Sequence, residues 1–167
     1  ADAAGPGRLP GVGINAVTPI TVNALVTLAL LGVHERALTL GQVRTVLDPV
    51  LGYITARGLP SGELSTLRDE QGLRVVLEQL ALAGVVTVYR GGLEPVYAIE
   101  PGVHLEAAFY RNSAVHWFVN RAILELAALT AVEHPGDDPL RAAWKAAFAL
   151  RDLLKFEFFF AEKEIFR

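Results

Sequence analysis

The sequence predicts a mainly α-helical chain with one β-hairpin: a winged-helix-like core followed by two C-terminal helices. Three observations lead there. Apolar residues recur at helical spacing in three segments before Gly84. The period then changes over residues 85–100, where Val, Tyr, Thr and Ile gather on either side of a Gly-Gly link. After Pro101-Gly102 the helical pattern returns and holds to the end of the chain. Three helices and then a hairpin is the element order of a winged helix.

Each element has its own local signals. Residues 1–13, rich in Gly, Pro and Ala, read as a flexible linker. Thr18-Pro19 is expected to open the first helix, with Thr as cap and Pro at the first helical position; the helix should stop at Gly32. Thr39-Leu40-Gly41-Gln42 fits a capping box. The second helix places Val43, Val46, Leu47, Val50, Leu51 and Ile54 on one face, and Pro49 is expected to kink or divide it. Gly58-Leu59-Pro60-Ser61-Gly62 is a turn. A third helix should begin near Ser65 or Thr66, bury Leu73, Val76, Leu77 and Leu80, and end at Gly84. Strands are expected at 85–90 and 96–100, joined by Gly91-Gly92-Leu93-Glu94. One long helix should then cover 103–132. His134-Pro135-Gly136-Asp137-Asp138 forms a loop, and Asp138-Pro139 caps a last helix that runs to the C-terminus. The corresponding division is a linker at 1–13, a winged-helix-like subdomain at 14–102 and a helical pair at 103–167.

Composition narrows the function. The 167 residues suffice for one domain with a real core. Hydrophobic residues make up 52% and mean hydropathy is +0.37, above the roughly 45–50% of ordinary soluble domains. The excess points to a surface meant for a partner domain, a subunit or a membrane. A net charge of −3 gives no electrostatic case for nucleic acid. With no cysteine there are no disulfides and no thiolate chemistry. Residues 20–31 are too short to span a bilayer and contain Thr21, Asn23 and Thr27; residues 114–132 carry His116, Asn120, Arg121 and Glu125. The N-terminal stretch has no basic region followed by an apolar one, so no signal peptide is expected.

The most informative segment is Phe109-Tyr110-Arg111-Asn112-Ser113-Ala114-Val115-His116. Polar groups in an apolar helix are costly without partners. On one helix Asn112, His116 and Asn120 stand at i, i+4 and i+8 and form a polar stripe amid Ala114, Val115, Trp117, Phe118, Val119, Ile123 and Leu124. Tyr110, Arg111, Asn112, His116 and Asn120 are therefore candidates for a polar network that pins this helix to another domain; ordinary satisfied polar residues are the plainer reading. Arg111 alone, without a glycine-rich loop or partner lysine, is a poor phosphate site. No set of metal ligands is visible. Phe156, Phe159 and Phe160, at i, i+3 and i+4, form either a core face or an apolar interface. The neighbouring charges Lys155, Glu157, Glu162, Lys163 and Glu164 are mixed, unlike the basic face of a membrane-surface helix.

Three segments carry a resemblance. Tyr110-Arg111-Asn112 followed by His116 is similar to the C-terminal region of bacterial glycerol-3-phosphate 1-O-acyltransferases. So are Ile14-Asn15-Ala16-Val17-Thr18-Pro19 with Thr21-Val22-Asn23-Ala24-Leu25-Val26, and Leu153-Leu154-Lys155-Phe156-Glu157-Phe158-Phe159-Phe160. Phe109 departs from the pattern, standing where the family often has a second tyrosine. The three segments keep the family's order and span nearly the whole chain. The family's catalytic His-x-x-x-x-Asp motif is absent, because the residues five after His34, His104, His116 and His134 are Thr39, Phe109, Arg121 and Pro139. The resemblance thus implies a non-catalytic C-terminal region with no catalytic residue and no cofactor of its own. It implies a catalytic acyltransferase domain of the same protein as partner. Through the whole enzyme it implies acyl-CoA or acyl carrier protein and glycerol 3-phosphate, and a peripheral place on the cytoplasmic face of the cell membrane. The alternative from another class is a winged-helix DNA-binding regulator, whose recognition helix at 66–83 would present the mixed set Arg68, Asp69, Glu70, Arg74 and Glu78.

Overall fold

The computed structural model describes residues 18–34, 36–133, 138–158, 160 and 166. Among these described residues 67% are helical, and a small three-stranded antiparallel sheet accompanies the helices. Two compact units emerge, one ending at Val115 and the other beginning at His116.

The first unit opens with Ile20, whose backbone pairs with the turn after the second helix: its N–H donates to the Pro60 carbonyl at 2.9 Å and its carbonyl accepts from Gly62 at 3.0 Å. That pairing holds residues 18–20 out of the helix, so the first helix, α1, is Val22–Gly32, three residues later than Thr18-Pro19 suggested. Thr21 takes the capping role, its hydroxyl accepting from the Ala24 N–H at 3.2 Å. Ala24, Leu25, Val26, Thr27, Ala29 and Leu30 are all buried, which makes α1 the central helix of this unit. The buried Thr27 hydroxyl donates to the carbonyl of Asn23 at 2.8 Å and lies 3.1 Å from that of Ala24.

A two-residue strand, β1 (Leu38–Thr39), follows. The second helix, α2 (Leu40–Arg57), begins with the expected capping box: Gln42 N–H donates to Thr39 Oγ1 at 3.3 Å and Thr39 N–H donates to Gln42 Oε1 at 2.9 Å. Of the two outcomes expected at Pro49, division does not occur: the helix is continuous from Leu40 to Arg57. Pro49 lies on the exposed side, and Val43, Leu47, Leu51 and Ile54 keep the buried stripe continuous through it. Gly58, at φ 58°, ends the helix in the left-handed conformation that suits glycine. Ser65–Leu67 is a single 3-10 turn, and the third helix, α3 (Glu70–Leu82), starts later than Ser65 or Thr66. Asp69 sets that start by accepting from the Gly72 N–H at 2.7 Å. Leu73, Val76, Leu77 and Leu80 are buried as the spacing required.

The hairpin strands are β2 (Thr87–Tyr89) and β3 (Val96–Ala98). The sheet order is β1-β3-β2, all antiparallel, with Leu38 opposite Tyr97 and Val88 opposite Tyr97 on the other side. This completes the winged-helix order. After a 3-10 turn at Pro101–Val103, helix α4 (His104–Val115) packs on α1, burying Ala107 and Ala114 completely. α4 therefore groups with the elements before it, whereas the sequence division drew its line at residue 102.

The expected long helix at 103–132 is two helices. α4 ends at Val115, residues 116–118 form a turn, and α5 is Val119–Glu133. Val115, His116, Trp117, Phe118 and Val119 are five successive β-branched or aromatic residues of low helix propensity, which favours a break there. In the second unit α5 packs against α6 (Pro139–Leu154), capped by Asp138, whose carboxylate accepts from Arg141 N–H at 2.9 Å. Val119, Ile123, Ala127 and Ala147 form the core of the pair, with Trp144, Leu150, Leu154, Phe158, Phe160 and Phe166 packed on it. α6 ends at Leu154 rather than continuing to the C-terminus. The expectations for 1–13, for residues 134–137 and for Phe159 lie outside the described residues.

Candidate functional site

The sequence singled out five polar residues, and the structure divides them. Tyr110, Arg111 and Asn112 lie on α4 in the first unit; His116 lies in the turn and Asn120 in the first turn of α5, in the second. The i, i+4, i+8 stripe assumed one continuous helix, so it is not formed as expected. Arg111 and Asn112 are brought together: the Arg111 Nε and Nη2 groups donate to Asn112 Oδ1 at 3.3 and 2.9 Å. Adjacent residues on a helix do not ordinarily face each other, and only the length of the arginine arm allows this bond. Asn112 is exposed. The Tyr110 carbonyl accepts from the Ser113 hydroxyl at 2.8 Å, and its ring meets Phe109 edge-on with centroids 6.1 Å apart. His116 is half-buried, its ring 5.0 Å from that of Trp117.

The sequence reading missed the outward face of α4. Ala107 and Ala114 let α4 lie close against α1, while Leu105 and Phe109, at i and i+4 on another side, are 85% and 78% exposed. The signal was present in the spacing of Leu105 and Phe109, but attention to the polar residues obscured it.

The aromatic cluster is also divided. Phe160 and Phe166 pack at 5.8 Å, and the Arg151 guanidinium sits over both rings at 5.7 and 5.6 Å. Phe156 is 86% exposed, with Lys155 Nζ 5.2 Å from its ring centre. α6 has already ended before these residues: Phe156 lies on the surface, while the half-buried Phe160 packs against the core of the second unit.

An open cleft of about 420 Å³ lies at the C-terminal end of α2, lined among others by Leu51, Ile54, Thr55, Leu59, Ser61 and Arg68. Its residues include no histidine and no pair of carboxylates, so it has no general base for acyl transfer. The Thr55 hydroxyl is already bonded to the Leu51 carbonyl at 2.9 Å. On α3, Arg74 pairs with Glu70 at 3.0 Å, and Glu78 lies 4.0 Å from Arg90 of the hairpin. Carboxylates on the same helix thus offset the cations that a DNA phosphate backbone would need. Among the described residues no group of three or more His, Asp or Glu could hold a metal ion, and no single helix is long and apolar enough to cross a membrane.

Residues 11–167 match the family described as glycerol-3-phosphate acyltransferase C-terminal region. Proteins of Mycobacterium bovis and of Mycobacterium tuberculosis strains CDC 1551 and H37Rv, each provisionally named acyltransferase plsB1, are 42% identical over 155 residues, 92% of this chain. The chain spans about a quarter of the length of these curated relatives, 25% in each case. By the extent of the family match and the identity to these relatives, the chain belongs to the glycerol-3-phosphate acyltransferase C-terminal region family.

Proposed function

We propose that this chain is the non-catalytic supporting part of an enzyme that transfers an acyl group from acyl-CoA or acyl carrier protein to the sn-1 hydroxyl of glycerol 3-phosphate, the first step of phospholipid synthesis. The observation that carries the reading is the family match over residues 11–167 in a chain where no histidine is followed five residues later by aspartate. Acyl transfer to a hydroxyl needs a base to take its proton, commonly a histidine oriented by a carboxylate. That pair therefore belongs to another part of the protein, and the role left to this chain is to buttress it. The partner is the catalytic domain of the same polypeptide. The place of action is the cytoplasmic face of the cell membrane, reached peripherally, where the acylated product is delivered.

The test compares the intact protein with this chain alone. Radiolabelled acyl transfer to glycerol 3-phosphate is expected from the intact protein and not from the isolated chain. Transfer by the isolated chain above a no-protein control would refute the non-catalytic role; an inactive, folded intact protein would refute the acyltransferase reading. Flotation of the intact protein with phospholipid vesicles tests its place on the membrane separately.

A further inference from the structure

We propose that the outward face of α4, carrying Leu105 and Phe109 beside the Arg111–Asn112 pair, is the seat on which the acyltransferase part of the same polypeptide docks. This deepens the proposed function and rests on it. Three physical arguments select that occupant.

The first is the character of the face. α4 buries its alanines against α1 and turns its two largest apolar side chains outward, at 85% and 78% exposure. Leu105 and Phe109 lie one helical turn apart, and Asn112 continues the same side a turn further on. A helix that puts small residues inward and large ones outward has a second surface to pack.

The second is size. Two such side chains offer on the order of a few hundred Å². A freely diffusing partner, or a second copy of the chain, needs roughly 1,000 Å² or more to hold. A segment of the same polypeptide needs far less, because covalent linkage already supplies an effective concentration in the range of about millimolar and has removed most of the cost of association. The matched relatives leave three quarters of their length outside the region shared with this chain, as that region is 25% of them.

The third is charge. The charges beside the face are mixed in sign: Glu106 is exposed on the flank of α4, Glu100 lies just before it, and Arg111 is the one arginine or lysine on the helix. An anionic lipid surface favours helices with a basic polar flank, which this one lacks. A protein surface suits it: the arginine has further N–H donors to direct at a carboxylate or carbonyl.

The test is site-specific photo-cross-linking in the intact protein. Phe109→p-benzoylphenylalanine and Leu105→p-benzoylphenylalanine place the probe on the face; Glu106→p-benzoylphenylalanine is the control on the flank. All three sites are exposed, so each variant folds. The expected result is an intramolecular cross-link from positions 109 and 105 to a peptide N-terminal to this chain, lost at 106. Cross-links to lipid, to a second copy, or equally at all three positions would overturn the proposal, as would none at all. Acyl transfer is measured on the same preparations. An active enzyme without the cross-link defeats the docking surface alone; a cross-linked protein without activity defeats the acyltransferase reading and leaves the surface standing.

Discussion

A Cβ built on Gly72 would fall 2.4 Å from the carbonyl oxygen of Thr66 and 2.7 Å from its Cγ2. The 3-10 turn Ser65–Leu67 thus lies directly against the first turn of α3, and only glycine lets the two backbones come this close. The same residue's N–H is held by the Asp69 carboxylate at 2.7 Å. Asp69 fixes where α3 begins, and Gly72 fixes how near the preceding turn can sit.

Gly72→Ala is therefore expected to destabilise the chain. Alanine gains about 1 kcal/mol of helix propensity. The clash with backbone atoms costs roughly 1–3 kcal/mol, as overpacking does, and exceeds the gain. A thermal melt of the isolated chain should show a lower midpoint. A raised midpoint would show that the turn moves aside without cost.

Tyr89, the last residue of β2, donates its phenol to the carboxylate of Glu100, which follows β3. That hydrogen bond, with the negative charge beside it, holds the Tyr89 pKa above the ordinary tyrosine value. The pKa is raised on folding, so the stabilisation is fully present below the unfolded tyrosine pKa and is lost as pH rises through the higher folded value. The difference between ultraviolet titrations of the wild type and of Tyr89→Phe should isolate one phenol that ionises later than free tyrosine. A difference step at the free-tyrosine value or below it would remove the assignment.

How far the fold was legible depended on the length over which each signal repeats. The buried stripes of α2 and α3 recur over several turns, and both emerged as read, with Leu47, Leu51, Leu73 and Leu77 inside. β1 escaped notice because two residues cannot display a period of two, and because Thr39 also serves as a helix cap. The break at 116–118 escaped because apolar spacing continues across it; the contrary evidence was the run of low-propensity residues from Val115 to Val119. The candidate site suffered most, since Asn112, His116 and Asn120 share a stripe only on an unbroken helix. The structure shows a local contact, Arg111 with Asn112, and an exposed apolar face on the same helix whose i, i+4 spacing was in the sequence and whose outward side is set by the packing of α4 on α1.

Thr39 is predicted to be more sensitive than its half-exposed position suggests. It caps α2 through its hydroxyl and pairs with Val96 in the sheet. Thr39→Val keeps the strand-favouring shape but removes the cap, and should cost about 1 kcal/mol. Thr39→Ser keeps the hydroxyl and should cost only a few tenths of that cap energy. Denaturant melts of the two variants check the ordering; equal losses would show that the sheet pairing, not the cap, governs this position.

The last prediction concerns Asn112 and separates a surface residue from a partner-facing one. In the isolated chain Asn112 is exposed and accepts only from the neighbouring Arg111 among the bonds described. Asn112→Ala there should change stability by less than about 0.5 kcal/mol, as surface substitutions do. In the intact protein, docking on the outward face of α4 would enclose Asn112 and give its amide partners. Removing it then leaves those partners unsatisfied, at roughly 1–3 kcal/mol. Asn112 is not placed near the reacting atoms, so KM for glycerol 3-phosphate should stay constant while the melting point and the yield of folded enzyme fall. Melts of the isolated chain and the intact protein, wild type and variant, decide the matter. An equally small effect in both would show that Asn112 faces solvent throughout, and a large fall in kcat at unchanged melting point would move it into the active site.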